Sequence, residues 1–114
     1  MDLDELASAI KQASSDPVAS KLSRLLSAWK DDQSDVKELE NTVERYLGNT
    51  WIAKPAEHEE IYSLWSRFRD DAMHGIQGRT MNERLYYFSL FPRWDSAQSD
   101  EDRKKIYAKL LANR

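Results

Sequence analysis

The apolar residues of this chain recur at steps of three and four almost from end to end, the spacing that gathers side chains on one face of an α-helix. Leu3, Leu6, Ala7 and Ile10 open the series, which ends near Ser14-Ser15. Asp16-Pro17 restarts it, an acid suited to an N-cap followed by proline at the first helical position, where its missing N–H costs nothing. Val18, Leu22, Leu25, Leu26 and Trp29 then trace a clean stripe. Polar residues 31–34 interrupt it, and Ser34 caps a third helix whose stripe is Val36, Leu39, Val43, Tyr46 and Leu47. Gly48-Asn49 is expected to close that helix, since both residues are able to adopt the left-handed conformation of helix C-termini. Residues 49–54 read as a short irregular connection, with Trp51 and Ile52 expected to tuck inward as a plug. Pro55 begins a fourth helix with Glu57, Glu59 and Glu60 set favourably against its dipole. Its inner face is Ile61, Leu64, Trp65, Phe68 and Ala72, and Gly75 stops it.

Residues 75–79 hold two of the three glycines and form a loop. Thr80-x-x-Glu83 has the form of a capping box, in which each side chain satisfies the other residue's backbone N–H, so a fifth helix starts at Met81. Pro92 must kink or end it, because proline removes one helical bond and clashes with the preceding turn. Ser99-x-x-Asp102 starts the last helix, with Arg103, Ile106, Tyr107, Leu110 and Leu111 as its inner stripe. Residues 85–91, the best strand candidate, sit behind a helix cap and lack strict alternation. The pattern therefore predicts an all-α fold, a single domain over residues 1–114 built as an irregular bundle of about five to six short helices.

Residues 81–94 carry more large apolar surface than one face of a short helix can hide: Leu85, Tyr86, Tyr87, Phe88, Leu90, Phe91 and Trp94. If Met81, Leu85, Phe88 and Trp94 face the core, then Tyr86, Tyr87, Leu90 and Phe91 cannot all do so. Either the bundle wraps helix five on nearly every side, or some of these rings are left for a partner.

Composition narrows the setting. Among 114 residues, 40% are hydrophobic and 32% charged, with three glycines and three prolines, a balance that favours helices and argues against disorder. With no cysteine there is neither a disulfide framework nor a thiolate metal site, which fits a reducing compartment. No apolar run approaches the roughly 18–20 residues needed to span a bilayer, and the acidic start Met1-Asp2-Leu3-Asp4-Glu5 is unlike a secretory signal, so a cytoplasmic location with no membrane contact is expected. The two halves differ in sign: residues 1–60 hold thirteen acids against seven bases, residues 61–114 seven against ten. Such asymmetry arises when halves pack with complementary fields or when each faces its own partner.

Chemistry finds little to work with. Glu57-His58-Glu59-Glu60 resembles a zinc-protease helix only superficially, since position 62 is Tyr where a second histidine would be required. Asp70 and His74 lie four apart on a helix and can share a proton, but a histidine before Gly75 is also favoured by the helix dipole alone. No nucleophile is framed by a base and an acid, and Gly75 and Gly78 lack the lysine and strand of a phosphate loop. No catalytic residue, cofactor or metal is assigned, and the chain is expected not to be an enzyme.

Met81-Asn82-Glu83-Arg84-Leu85-Tyr86, then Leu90, Trp94-Asp95 and the charged helix ending in Lys109-Leu110-Leu111, resemble a group of small, uncharacterised bacterial helical proteins. Their signature is an Asn-Glu-Arg-Leu-aromatic start, a Gly-Leu pair, an aromatic-Asp step and a short charged helix closing on Leu-Leu. The likeness covers roughly the last third of the chain. Ser89 stands where those proteins carry glycine, and Pro92 interrupts a helix that they continue. The resemblance implies a bacterial origin and a helix cap at Thr80, and no catalytic role comes with it.

The expected function is protein binding, most simply by an inhibitor or immunity-type protein that occludes a partner surface. Arg84, Tyr86, Tyr87, Phe91, Arg93 and Trp94 are the expected contact residues, being aromatics and arginines of the kind enriched at interface hot spots. The partner is another protein or a second copy in a homodimer. The alternative is a nucleic-acid-binding regulator using Arg67, Arg69, Arg79, Arg84, Arg93, Arg103, Lys104, Lys105 and Lys109 of the basic half.

Overall fold

The computed structural model describes residues 1–112 and is helical throughout, with no strand among the described residues. Seven α-helices are present among them: α1 (Leu3–Ala13), α2 (Pro17–Trp29), α3 (Val36–Asn49), α4 (Pro55–Phe68), α5 (Met81–Tyr87), α6 (Phe91–Ser96) and α7 (Asp100–Lys109). The all-α expectation holds, and the count exceeds five to six because residues 81–96 form two helices rather than one kinked helix.

Local chemistry sets most boundaries. Asp16 accepts from the Val18 N–H with Pro17 behind it, and Ser99 accepts from the Asp102 N–H at 3.2 Å. Thr80 and Glu83 close a full capping box on α5. The cap of α3 is Asp35, not Ser34: its carboxylate accepts from the Glu38 N–H at 2.9 Å while Glu38 reaches back to the Asp35 N–H. Ser34 instead donates its hydroxyl to Asp32 at 2.7 Å and belongs to the loop. Helix α4 continues into a π-helical turn, Arg69–Met73, whose extra residue per turn lets both Ala72 and Met73 enter the core before Gly75 turns left-handed at φ 78°.

The core forms where α1 lies on α2 and α4. Leu3, Leu6, Ile10, Leu22, Leu26, Ile61 and Trp65 are sealed there, and Val43 of α3 is sealed in the same cluster, each apolar side chain contributing about 1.5–3 kcal/mol on burial. Phe88 at the end of α5 is the common member of an aromatic cluster, its ring centre 5.5 Å from Trp29 on α2 and 5.6 Å from Phe68 on α4. Polar ties cross between helices at the edges of this core. Glu44 on α3 accepts from the Trp65 indole at 3.2 Å and from Arg69 at 2.6 Å, and Tyr46 donates to the Val18 carbonyl at 2.9 Å.

Two inward expectations are overturned. Ile52 does plug the core, but Trp51 beside it is 69% exposed. In an extended segment neighbouring side chains point opposite ways, so one of the two had to leave. Arg103 does not join the inner stripe of α7 but lies in the open, its guanidinium 5.1 Å from the Trp94 ring centre. Lys109 takes an interior place instead.

Candidate protein interface

Helix α5 is only seven residues long, and its termination decides which aromatics face outward. Ser89 adopts a left-handed backbone at φ 56°, its N–H bonds the Tyr86 carbonyl at 3.2 Å, and the Leu90 N–H reaches the Leu85 carbonyl at 2.9 Å. This is the Schellman pattern, completed by burial of both Leu85 and Leu90. Helix α6 then starts at Phe91 with Pro92 in its first turn, where proline helps rather than harms. The proline thus begins a helix after a stop that Ser89 has already made.

The six residues expected to contact a partner end up in three different situations. Tyr86 at 48% exposed and Phe91 at 37% flank the turn and face solvent. Tyr87, Arg93 and Trp94 are half-buried. Tyr87 lies beneath the Arg79 guanidinium, 4.7 Å from its ring centre, and Trp94 meets Tyr107 edge-on at 5.3 Å. Arg93 grips Asp31 with two parallel bonds of 2.9 and 3.0 Å, which holds the Asp31 carboxyl below its usual range and raises the guanidinium's affinity for its proton. Arg84 faces the interior: it is buried, bonding the Leu110 carbonyl at 3.0 Å and the Arg79 carbonyl at 3.3 Å. Its side chain serves to attach the C-terminal segment, so the outward-facing set is Tyr86 and Phe91 with the half-covered Tyr87, Arg93 and Trp94 around them.

The first turn of α1 adjoins this face. The Ser89 hydroxyl accepts from the Asp4 N–H at 3.1 Å, and the Asp4 carboxylate meets Lys30 at 2.5 Å. On the other side of Arg93 a cleft of about 450 Å³ separates the loop after α2 from α7, with Leu90 and Ile106 at its base and Asp32, Glu38, Asp102 and Lys105 among its walls. Five carboxylates and four cations line that cleft.

Asp70 and His74 do come together, 3.3 Å apart, and the other imidazole nitrogen lies 3.7 Å from Glu40. The Asp70 and His74 side chains are both more than half exposed, so the group is a solvated surface cluster linking α3 to the end of the π turn. No group of three or more potential metal ligands forms among the described residues, and none of their helices is long and apolar enough to cross a membrane.

A second exposed aromatic site lies elsewhere. Trp51 stacks on His58 of α4 with ring centres 5.5 Å apart and planes inclined at 28°, and Tyr62, one turn further along α4, is also exposed. The alternation of the extended connection was the signal that one of Trp51 and Ile52 would face out. Compared with family models, with curated proteins and with solved structures, the chain matches none of them.

Proposed function

We propose that this chain is a small protein-binding module, of the inhibitor or immunity type, that uses the turn between α5 and α6 to occlude a surface of another protein. The observation that carries this reading is the exposure of Tyr86 and Phe91 after the core has closed around Leu85, Phe88 and Leu90. Two rigid aromatics beside a tight, hydrogen-bonded turn are suited to anchor a contact at low entropic cost. Bacterial origin rests on the C-terminal resemblance alone. Neither catalysis nor a cofactor enters this function.

The nucleic-acid alternative has less to draw on, because much of the basic half is committed internally: Arg69 to Glu44, Arg79 to Glu83, Arg84 to two carbonyls, Arg93 to Asp31 and Lys109 to Asp32. A photoreactive phenylalanine analogue placed at position 86 or 91 in the cells that make the protein tests the protein-binding reading. A discrete heavier adduct, suppressed by excess unlabelled chain and missing when the probe sits at exposed Lys37, is expected. An adduct of twice the chain mass assigns the face to a homodimer, and no adduct at either position removes the proposal.

A further inference from the structure

Between Phe91 and Leu111 only Ile106 and Leu110 bury apolar side chains in the core, whereas α1 alone buries Leu3, Leu6, Ala7 and Ile10. Trp94 and Leu111 pack against that core from its edge. Residues 100–105 of α7 are all exposed, and Asp102 and Lys105 among them border the cleft. Polar ties supply the rest of the attachment, and most of them converge on one short loop. Arg93 of α6 holds the Asp31 carboxylate, and Lys109 of α7 donates to Asp32 and Ser34. The cations all come from α6 and α7, and the acceptors all lie within residues 31–34. Beyond Lys109, Arg84 and Gln77 donate to the Leu110 and Leu111 carbonyls at 3.0 and 3.3 Å. Asp31 and Asp32 are exposed, so water competes for both.

The two helices are also bound to each other. Trp94 of α6 meets Tyr107 of α7 edge-on at 5.3 Å and lies under the Arg103 guanidinium. At their origin stands Ser89, whose left-handed backbone is strained by its β-carbon, so rotation there relieves strain. Detachment would return the Lys109 ammonium and the Arg84 guanidinium to water, and neither would be left buried without a partner. Segments held by few buried apolar contacts and by solvent-exposed polar bonds open well below the free energy of global unfolding. We infer that α6 and α7 form a hinged arm, clasped shut by the loop of residues 31–34, that opens as one unit about Ser89 while α1 to α4 stay folded. Opening removes Lys109 from the Trp29 ring, which it covers at 4.1 Å, and carries Phe91 away from Tyr86. The bearing of this motion on partner binding rests on the proposed contact face: the closed arm is the form in which Tyr86 and Phe91 stand together. The motion itself does not rest on that reading.

Native-state hydrogen exchange, read residue by residue in nitrogen-15 spectra at urea concentrations below the unfolding transition, tests the inference. A ten-residue helix does not hold by itself in water, so an undocked α7 exchanges its amides. The Trp94, Leu110 and Ala112 N–H groups, bonded to the Leu90, Ile106 and Tyr107 carbonyls, report on the arm, and those of Leu26 and Trp65 report on the body. The arm amides should share one opening, at least tenfold more frequent than that of the body and with a smaller urea dependence. Two variants separate the motions. Ile10→Val, in a sealed position toward the end of α1 remote from the Asp4 bond to Ser89, should speed the body amides about fivefold and leave the arm amides unchanged. Asp31→Asn loosens the clasp and should speed the arm amides several-fold. A common exchange rate in arm and body, an equal rise in both from Ile10→Val, or no response of the arm to Asp31→Asn would overturn the inference. So would urea-independent rates that differ from one arm amide to the next, which mark local fraying. None of these readouts involves a partner, so the outcome is separate from that of crosslinking at positions 86 and 91.

Discussion

The ammonium of Lys109 lies 4.1 Å from the centre of the Trp29 ring, although the two residues are eighty positions apart. The same group donates to the Asp32 carbonyl at 2.8 Å, the Asp32 carboxylate at 3.0 Å and the Ser34 carbonyl at 2.8 Å, so one buried cation closes the loop after α2 against the last turn of α7. Burial pulls the Lys109 ammonium below its usual range while Asp32 pushes the other way. Truncation to Lys109→Met keeps most of the apolar stem but strands two carbonyl oxygens and a carboxylate. Loss of about 2–3 kcal/mol is expected from the urea midpoint with an unchanged slope, and Lys109→Arg should not restore it because a forked guanidinium cannot reproduce the three directions.

Asp32 gives that latch a pH dependence. Burial raises its carboxyl, but the Ser34 hydroxyl and the Lys109 ammonium more than reverse this, so its affinity for a proton ends below the ordinary value. Asp31, bonded by Arg93, and Glu83, bonded by the Thr80 backbone, are shifted the same way from ordinary values of 3.8 and 4.5. Where the folded form binds its protons less tightly than the unfolded chain, stability is full above the unfolded value and falls as pH drops through the folded one. Thermal midpoints should therefore be level down to roughly pH 5 and decline below it. Asp32→Asn should lower the plateau and flatten the decline.

Neighbouring aromatics between the end of α5 and the start of α6 should differ sharply in what their truncation costs. Phe88 is sealed between Trp29 and Phe68, so Phe88→Ala opens a cavity in the aromatic cluster and should cost about 3–5 kcal/mol. Tyr86→Ala and Phe91→Ala remove rings that already face solvent, and each should stay within about 1 kcal/mol in the same denaturation experiment. A large loss at Tyr86 would make it a core residue and remove it from the interface.

The helical stripes of residues 3–72 and the caps at Asp16, Thr80 and Ser99 were legible because each is a short-range pattern with a local physical cause. The surplus of aromatics after Met81 was legible too, but their division into core and surface was not. That division depends on where α5 stops, and the stop is a serine in a conformation its side chain does not announce. The inward turn of Arg84, the Glu44 link to Trp65 and Arg69, and the Lys109 latch join positions 21 to 77 residues apart, beyond the reach of periodicity. The Asp35 cap was within reach, since Asp35-x-x-Glu38 has the capping-box form as plainly as Thr80-x-x-Glu83.

Ser89 lets the backbone and side-chain contributions at that stop be separated. A residue with a β-carbon in the left-handed region costs roughly 1–2 kcal/mol that glycine does not incur. The Ser89 hydroxyl offsets part of this by accepting from the Asp4 N–H. Ser89→Ala loses the hydrogen bond and keeps the strain, so it should be less stable than the parent. Ser89→Gly loses the same bond and relieves the strain, and it should exceed the alanine variant by about 1 kcal/mol in urea midpoint at constant slope. Equal stabilities for the two variants would mean that residue 89 is not held left-handed in solution. In that case α5 would run on toward Pro92, and Tyr86 and Phe91 would not flank a common turn.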